Sequence, residues 1–301
     1  MKKRVVLFLG LTFFFTYGAL AVMALAHIPY GSPLCTIIFA VCMLFPALGS
    51  LITRLLTKEG WRDSFLRLHW KGNWRFYLFG LFGPPLLTVV GAIVYFLLFP
   101  KQFDPGFAII AQMLEAQGLD GSTAPWIVLS QLVLGLFGGI LNFPFALGEE
   151  LGWRGYLFPK LCQRMSARWA AILTGVIWGL WHAPMIAMGH NYGVGYLTAP
   201  WGGILAMVVF CIVCGASLCY LTARTQSVFP AALWHGALNA FSAAPVLFLA
   251  TSVYNPFLGP VPTGIIGGVG MIAAAIFCLW RMQRQKDHSP FPAAKKQTGI
   301  L

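Results

Sequence analysis

Apolar windows of about 20 residues, the length that crosses a hydrocarbon core of about 30 Å, recur eight times along this chain of 301 residues. They lie near residues 5–26, 34–53, 76–99, 126–147, 169–188, 203–222, 228–250 and 262–280. The pattern predicts an all-α fold, a polytopic transmembrane helix bundle of about eight spans. There is no internal repeat, no low-complexity tract and no separate soluble domain, so residues 1–301 read as a single membrane domain. Two connections carry a pattern of their own. From Thr57 to Arg75, Trp61, Phe65, Leu66, Trp70 and Trp74 interleave with basic residues, which predicts an amphipathic helix lying in the cytoplasmic interface as a lipid-facing collar. Between Pro100 and Pro125, a stretch holding Asp104, Glu115 and Asp120, a short helix is expected around Ala108 to Ala116.

Composition agrees with the pattern. The chain is 58% hydrophobic and 9% charged, more apolar surface than a soluble domain can bury, which places it in the cell membrane as a multi-pass protein. Basic residues then orient the bundle, because cytoplasmic loops collect lysine and arginine. With the N-terminus inside, every one of the 20 basic residues except Lys101 falls on a cytoplasmic segment, so both ends are expected in the cytoplasm. The formal charge of +12 is spread over every second loop, a distribution that suits anionic lipid headgroups of the bilayer and not a nucleic acid. The start, MKKR with an apolar run and Ala24-Leu25-Ala26, has features of a secretion signal. The run from Val5 to Ala26 exceeds the roughly 7 to 15 residues of such a core, so an uncleaved first span is expected. The seven cysteines lie almost all within spans or on the inner side and imply no disulfide framework. Cys211 and Cys214 have the spacing of a redox motif but sit in an apolar run, where they read as small membrane-core residues.

Few strongly polar groups remain once the loops are set aside: Glu149, Glu150 and Arg154 after the fourth apolar window, His182 in the fifth, His235 and Asn239 in the seventh. A charged side chain at mid-bilayer costs about 2.5 to 3.5 kcal/mol, so these groups face the bundle interior and mark a site. Residues four apart share a helix face, which pairs His235 with Asn239 and Glu150 with Arg154. Glu149 is rotated about 100 degrees from Glu150 and faces a different neighbour. Each feature also has a structural reading: His182 as a packing hydrogen bonder beside Trp178, Trp181 and Pro184, His235 with Asn239 as interhelical glue, Glu150 with Arg154 as a neutralised pair. Glu149 is left with a charge whose burial calls for chemistry, a proton or a metal. A free carboxylate, two histidines and an asparagine in one cavity match what amide hydrolysis needs. Glu149 suits the base that takes a proton from water, His235 and Asn239 suit the oxyanion donors, and His182 suits water orientation or protonation of the leaving amine.

At these residues the sequence resembles the CAAX protease and bacteriocin-processing (CPBP, or Abi) intramembrane proteases. The family pattern is Glu-Glu-x-x-x-Arg, then an aromatic four residues before His, then His-x-x-x-Asn or Asp. Here it reads EELGWR at Glu149 to Arg154, WGLWH at Trp178 to His182, and HGALN at His235 to Asn239, with Trp178 where phenylalanine is usual. The resemblance covers about Gly148 to Ala240 and implies a catalytic core within residues 126–250. It also implies that Glu149 activates water with Glu150 and Arg154 in support, in an intramembrane endopeptidase acting on a membrane-associated peptide or protein. Two schemes for the water stand side by side. Glu149, His182 and His235 supply three ligands for a zinc ion and leave a fourth position for water, or Glu149 acts with no cofactor. The other function classes are a membrane scaffold or bacteriocin-immunity-type binding protein, and a proton-coupled transporter. Hydrolysis in a bilayer needs a water route, so with Glu149 near the cytoplasmic boundary a cavity opening as a cone toward the cytosol is expected.

Overall fold

The computed structural model describes residues 2–61, 63–283 and 291; Arg62, Arg284, Lys286, Lys295 and Lys296 of the charge count lie outside them. Helix α1 (Lys2–Leu25) is followed by α2 (Pro33–Cys42) and α3 (Phe45–Thr57), which share one span with a break at Met43 and Leu44. Pro46 has no N–H to offer the carbonyl four residues earlier, so the helix restarts there. Next come α4 (Trp74–Leu98), the short α5 (Ala108–Glu115) and α6 (Ala124–Gly152). The chain continues from α6 through one π-helical turn, Trp153–Leu157, into α7 (Phe158–Cys162). The remainder is α8 (Ala167–Trp181), α9 (Ala183–Ala187), α10 (Trp201–Thr225), α11 (Phe229–Phe241) and α12 (Val269–Gln283). The fold is an all-α bundle, and α5 forms where a short helix is expected.

Six helical segments among the described residues are long and apolar enough to cross a membrane: Lys2–Leu25, Pro33–Thr57, Trp74–Leu98, Gly121–Cys162, Trp201–Thr225 and Phe229–Phe248. The fifth and eighth apolar windows differ from this. The fifth is not one helix but α8 and α9, broken at His182. Pro184 deprives the Leu180 carbonyl of its helical donor, and the Tyr17 hydroxyl donates to that carbonyl instead at 2.7 Å. The eighth begins late because residues 255–268, which include Gly259, Pro260, Pro262, Gly264 and Gly267, run in turns before α12.

The expected collar helix is absent. The described residues of the segment 58–73 form turns and non-helical backbone, with Gly60 and Gly72 at positive φ, and Phe65 buried in the bundle instead of lying in an interface. Val228 N–H donates to the Phe65 carbonyl at 3.1 Å. Tertiary contacts with α3, α7 and the turn before α11 outweigh the aromatic and basic pattern here.

The structure sorts the connections into two ends. At one, Arg4 donates to the Thr57 carbonyl at 3.3 Å, Arg168 to Gln283 at 2.7 Å, and the His69 ring to the Thr225 carbonyl at 3.0 Å. Lys160 pairs there with Glu59 and, at 3.3 Å, with Asp63. Arg54 meets Asp63 at 2.5 Å and the Gly155 carbonyl at 3.3 Å. Burial pulls the Glu59 carboxyl upward, but hydrogen bonds from Lys160, Tyr156 and Thr57 outweigh it and hold it below its ordinary value. The same contest sets Asp63 low, where burial is outweighed by the bond and charge of Arg54 and by Lys160. At the other end, Tyr30 bonds His190 at 3.4 Å, Tyr192 donates to the Thr263 carbonyl at 3.3 Å, and Ala250 N–H to the Gln102 carbonyl at 2.8 Å.

Helices in a membrane gain little from burying apolar surface and associate through close packing at small residues. Gly148 and Gly152 bring α6 against the α2–α3 junction, where a Cβ would strike Leu44, the Met43 carbonyl and Pro46. Gly175 does the same for α8 against the Ile212 backbone of α10. The core between them holds Trp153, Tyr156, Leu157, Trp181 and Trp234, each at most 1% exposed.

Candidate active site

The close approach at Gly148 and Gly152 carries Glu149 into the middle of the bundle. It lies beside the junction within the span Pro33–Thr57, and its helix runs on to Cys162. The π turn that follows rotates the chain between Glu149 and α7, and such turns recur at functional sites. Glu149 is 2% exposed and Glu150 and Arg154 are fully buried.

The two carboxylates have separate partners. Glu149 Oε2 accepts from the indole N–H of Trp178 at 2.7 Å and of Trp153 at 3.3 Å. Its Oε1 lies 3.9 Å from His235 Nε2. Glu150 Oε1 takes Arg154 Nη1 at 3.0 Å and His235 Nδ1 at 2.9 Å. Arg154 lies 4.3 Å over the Trp178 ring. Glu150 Oε1, already accepting from Arg154, accepts from His235 too, so Nδ1 carries the proton in that bond and Nε2 is turned to Glu149.

His182 sits at the break that ends α8. Its Nδ1 is 2.9 Å from the Trp178 carbonyl, which can only accept, so Nδ1 carries hydrogen and Nε2 presents a lone pair. The Trp178 ring lies between the two histidines, with centroids 5.6 Å from His182 and 5.3 Å from His235. Asn239 follows His235 by one turn and makes no hydrogen bond among the described residues, leaving its amide open to the cavity.

These side chains share one cavity of about 400 Å³, lined by Glu149, His182, His235 and Asn239 together with Asn142, Trp178 and residues of α2 and α10. Glu149 and His235 form its deep end. Below them Trp153, Arg154, Tyr156 and Trp234 are fully buried. The wall rises the other way, past Thr36, Asn142 and Ser242 to His190, Asn191 and Thr263. The cavity therefore opens at the end of the Tyr30–His190 contact and is closed toward the basic end, the reverse of the cone expected to open toward the basic loops.

Of the residues expected from sequence, Glu150, Arg154 and His235 form one bonded network, Glu149 faces His235 across 3.9 Å, and His182 and Asn239 share the cavity. No three His, Cys, Asp or Glu side chains among the described residues are grouped to hold a metal ion. Three participants went unrecognised. Trp178 stands in the sequence as the aromatic of the second motif and Trp153 as one residue within EELGWR, yet their N–H groups hold the carboxylate. Asn142 stands two turns before Glu149 and lines the same cavity; extending the helical face from Glu149 by seven residues would have found it.

Residues 124–241 match the family described as type II CAAX prenyl endopeptidase Rce1-like. Over 44 residues the chain is 52% identical to CAAX prenyl protease 2 of Methanococcus maripaludis, an alignment covering 15% of this chain and 16% of that protein's length. The matched segment carries all six polar residues of the site, and through it this multi-pass integral membrane protein is similar to the CAAX protease family.

Proposed function

We propose that the protein is an intramembrane endopeptidase that hydrolyses a peptide bond of a membrane-associated protein with a Glu149-activated water and no metal. The observation that carries this is the Glu149 carboxylate on the floor of a polar cavity, fixed through one oxygen by two indole N–H groups with the other turned to His235 Nε2. Two acceptors 3.9 Å apart do not bond each other. A water beside the pair reaches both at a hydrogen-bond distance of about 2.8 Å.

In this scheme Glu149 Oε1 takes a proton from the water, and the resulting hydroxide oxygen bonds to the scissile carbonyl carbon. The carbonyl oxygen becomes an oxyanion, for which the free amide N–H groups of Asn239 are the available donors, while His235 Nε2 stays an acceptor for the water. Collapse breaks the C–N bond, and the proton held by Glu149 passes to the departing amine. His182, with its proton committed to the Trp178 carbonyl, offers a lone pair, which suits orienting the water more than protonating the amine. Glu150 and Arg154 act indirectly by fixing the His235 ring through Nδ1.

The names of the matched family and relative supply the substrate class, a membrane-associated protein cut near a lipid-modified end, and the site's neutral, partly aromatic walls are compatible with it. The test compares membranes holding the active protein with membranes holding Glu149→Gln, by proteomics of new termini. New termini that appear with the active form and vanish with the variant are expected. Identical termini in both would remove the protease reading.

A further inference from the structure

We propose that Asn142 holds the substrate backbone: its side-chain oxygen Oδ1 accepts a peptide N–H of the segment whose carbonyl is offered to Glu149 and Asn239. The proposal rests on the endopeptidase reading for the fate of that segment, but the hydrogen bond itself is assigned from the orientation and surroundings of the asparagine.

Asn142 lies half-buried on α6, two turns before Glu149, in a run that is otherwise apolar from Leu132 to Gly148. A polar side chain there is costly and has its use in the bundle interior. One of its two groups is accounted for, because Nδ2 donates to the Gly138 carbonyl at 3.0 Å. A carbonyl can only accept, so this bond fixes the amide with its nitrogen toward Gly138 and its oxygen away from it. Oδ1 has no partner among the described residues. The ordinary use of an asparagine at such a place is to bond a neighbouring helix, and α11 passes close enough for it: a Cβ on Gly236 would lie 3.3 Å from Asn142 Cβ. Yet no bond joins the Asn142 side chain to α11 among the described residues. The side chain lines the cavity with Glu149, His235 and Asn239, and its acceptor is spare.

An extended polypeptide inside a bilayer carries N–H and C=O groups that only the protein can satisfy. In the scheme above Glu149, His182 and His235 act on the water and Asn239 donates to the oxyanion, so none of them receives an N–H. Asn142 Oδ1 is placed to do so. Asn142 opposes Gly236, and Gly138 opposes Ala240, whose Cβ a Cβ on Gly138 would strike; these two positions of α11 bracket Asn239. The two asparagines therefore stand at one level of the cavity, one as donor and one as acceptor. Two turns of α6 separate Asn142 from Glu149 by about 10 Å, the length of about three residues of extended chain. The N–H that Asn142 accepts thus belongs to an amide close to the cleaved bond.

The test pairs a change in the protein with a change in the ligand. The ligand is a fluorescent peptide with a prenylated CAAX end, and in its analogues each backbone N–H within about three residues of the prenylated cysteine is replaced in turn by an ester oxygen. Kd is measured on the purified full chain carrying Glu149→Gln, so that no cleavage intervenes, with and without Asn142→Leu. Loss of one neutral hydrogen bond changes Kd by about three- to tenfold. Asn142→Leu is expected to raise Kd for the all-amide peptide by about that factor. One ester is expected to raise it equally when Asn142 is present and to add nothing in Asn142→Leu, a non-additivity that a purely structural role would not produce. Asn142→Ala repeats the cycle without the bulk of leucine against Gly236, so the outcome does not hang on the folding of one variant. An unchanged Kd in both variants, or ester losses that are the same with and without Asn142, overturns the assignment, as does failure of the all-amide peptide to bind. The same peptide is also offered to the chain with Glu149 intact. Coupled binding as expected with no cleavage would leave the assignment standing and overturn the endopeptidase reading.

Discussion

Two adjacent carboxylates with different partners should fail in different ways. Glu149 touches only neutral indoles and the far nitrogen of His235, so Glu149→Gln should abolish cleavage at near-normal thermal stability. Glu150→Gln removes the partner of a fully buried Arg154 and the acceptor of His235 Nδ1. Breaking a buried pair in this way costs about 3 to 5 kcal/mol, so both Tm and activity should fall. Thermal melts beside cleavage assays decide it, and equal Tm for the two variants would refute the division of labour. Trp178→Phe keeps a ring under Arg154 but deletes the 2.7 Å bond to Glu149. A hydrogen bond to a charged group contributes about 1.5 to 3 kcal/mol, so kcat should drop at least about tenfold while Arg154 stays packed. An unchanged kcat would show that the indole does not position the base. In the metal-free scheme a strong chelator should leave activity of the purified protein unchanged. Inactivation reversed by added zinc would replace the metal-free scheme.

At the scale of elements, the site is made by departures from regular helix. The π turn after Gly152, the break at His182 and the restart at Pro46 each lie within a turn or two of a catalytic side chain or of the helix that carries it. Proline chemistry explains two of them, and the Tyr17 hydroxyl satisfies a carbonyl that Pro184 frees. The register of α6 depends on Gly152, whose missing Cβ leaves room for the Pro46 backbone. Gly152→Ala forces the two helices apart or strains them, at about 1 to 3 kcal/mol for overpacking. It should lower Tm and also shift Glu149 away from Trp178, reducing cleavage more than stability alone explains. A variant with wild-type Tm and activity would mean that the contact does not set the register.

Over the whole molecule, the basic end is tied together by a cluster that joins α1, α3, the 58–73 segment and α7 through Arg4, Arg54, Glu59, Asp63 and Lys160. The folded protein holds Glu59 and Asp63 below their ordinary values. A depressed carboxyl stabilises the fold above its unfolded value, about 4, and that contribution is lost as pH falls through the folded value. Tm should therefore be level near neutrality and decline below about pH 4. Glu59→Gln should lower Tm at neutral pH and flatten the decline. A wild-type Tm that stays level to pH 2 would show that the cluster does not couple to folding.

The sequence by itself determined what depends on composition and local spacing. Apolar windows and sparse charge give a membrane bundle because the bilayer demands about 20 apolar residues per crossing. Polar residues that survive inside those windows mark the site because their burial is costly, and helical spacing paired Glu150 with Arg154, as found at 3.0 Å. Tertiary structure decided the rest, since it depends on which backbone comes close to which. The 58–73 segment has the pattern of an interfacial helix, but its Phe65 and Asp63 find partners in other elements and the helix does not form. Trp178 reads as a packing aromatic until α8 sets its N–H against Glu149. The depth of Glu149 and the direction in which its cavity opens follow from how far α6 continues and where α2 breaks against it. Neither is visible in a linear pattern, because hydrophobic periodicity specifies which residues face inward but not the level at which two helices meet.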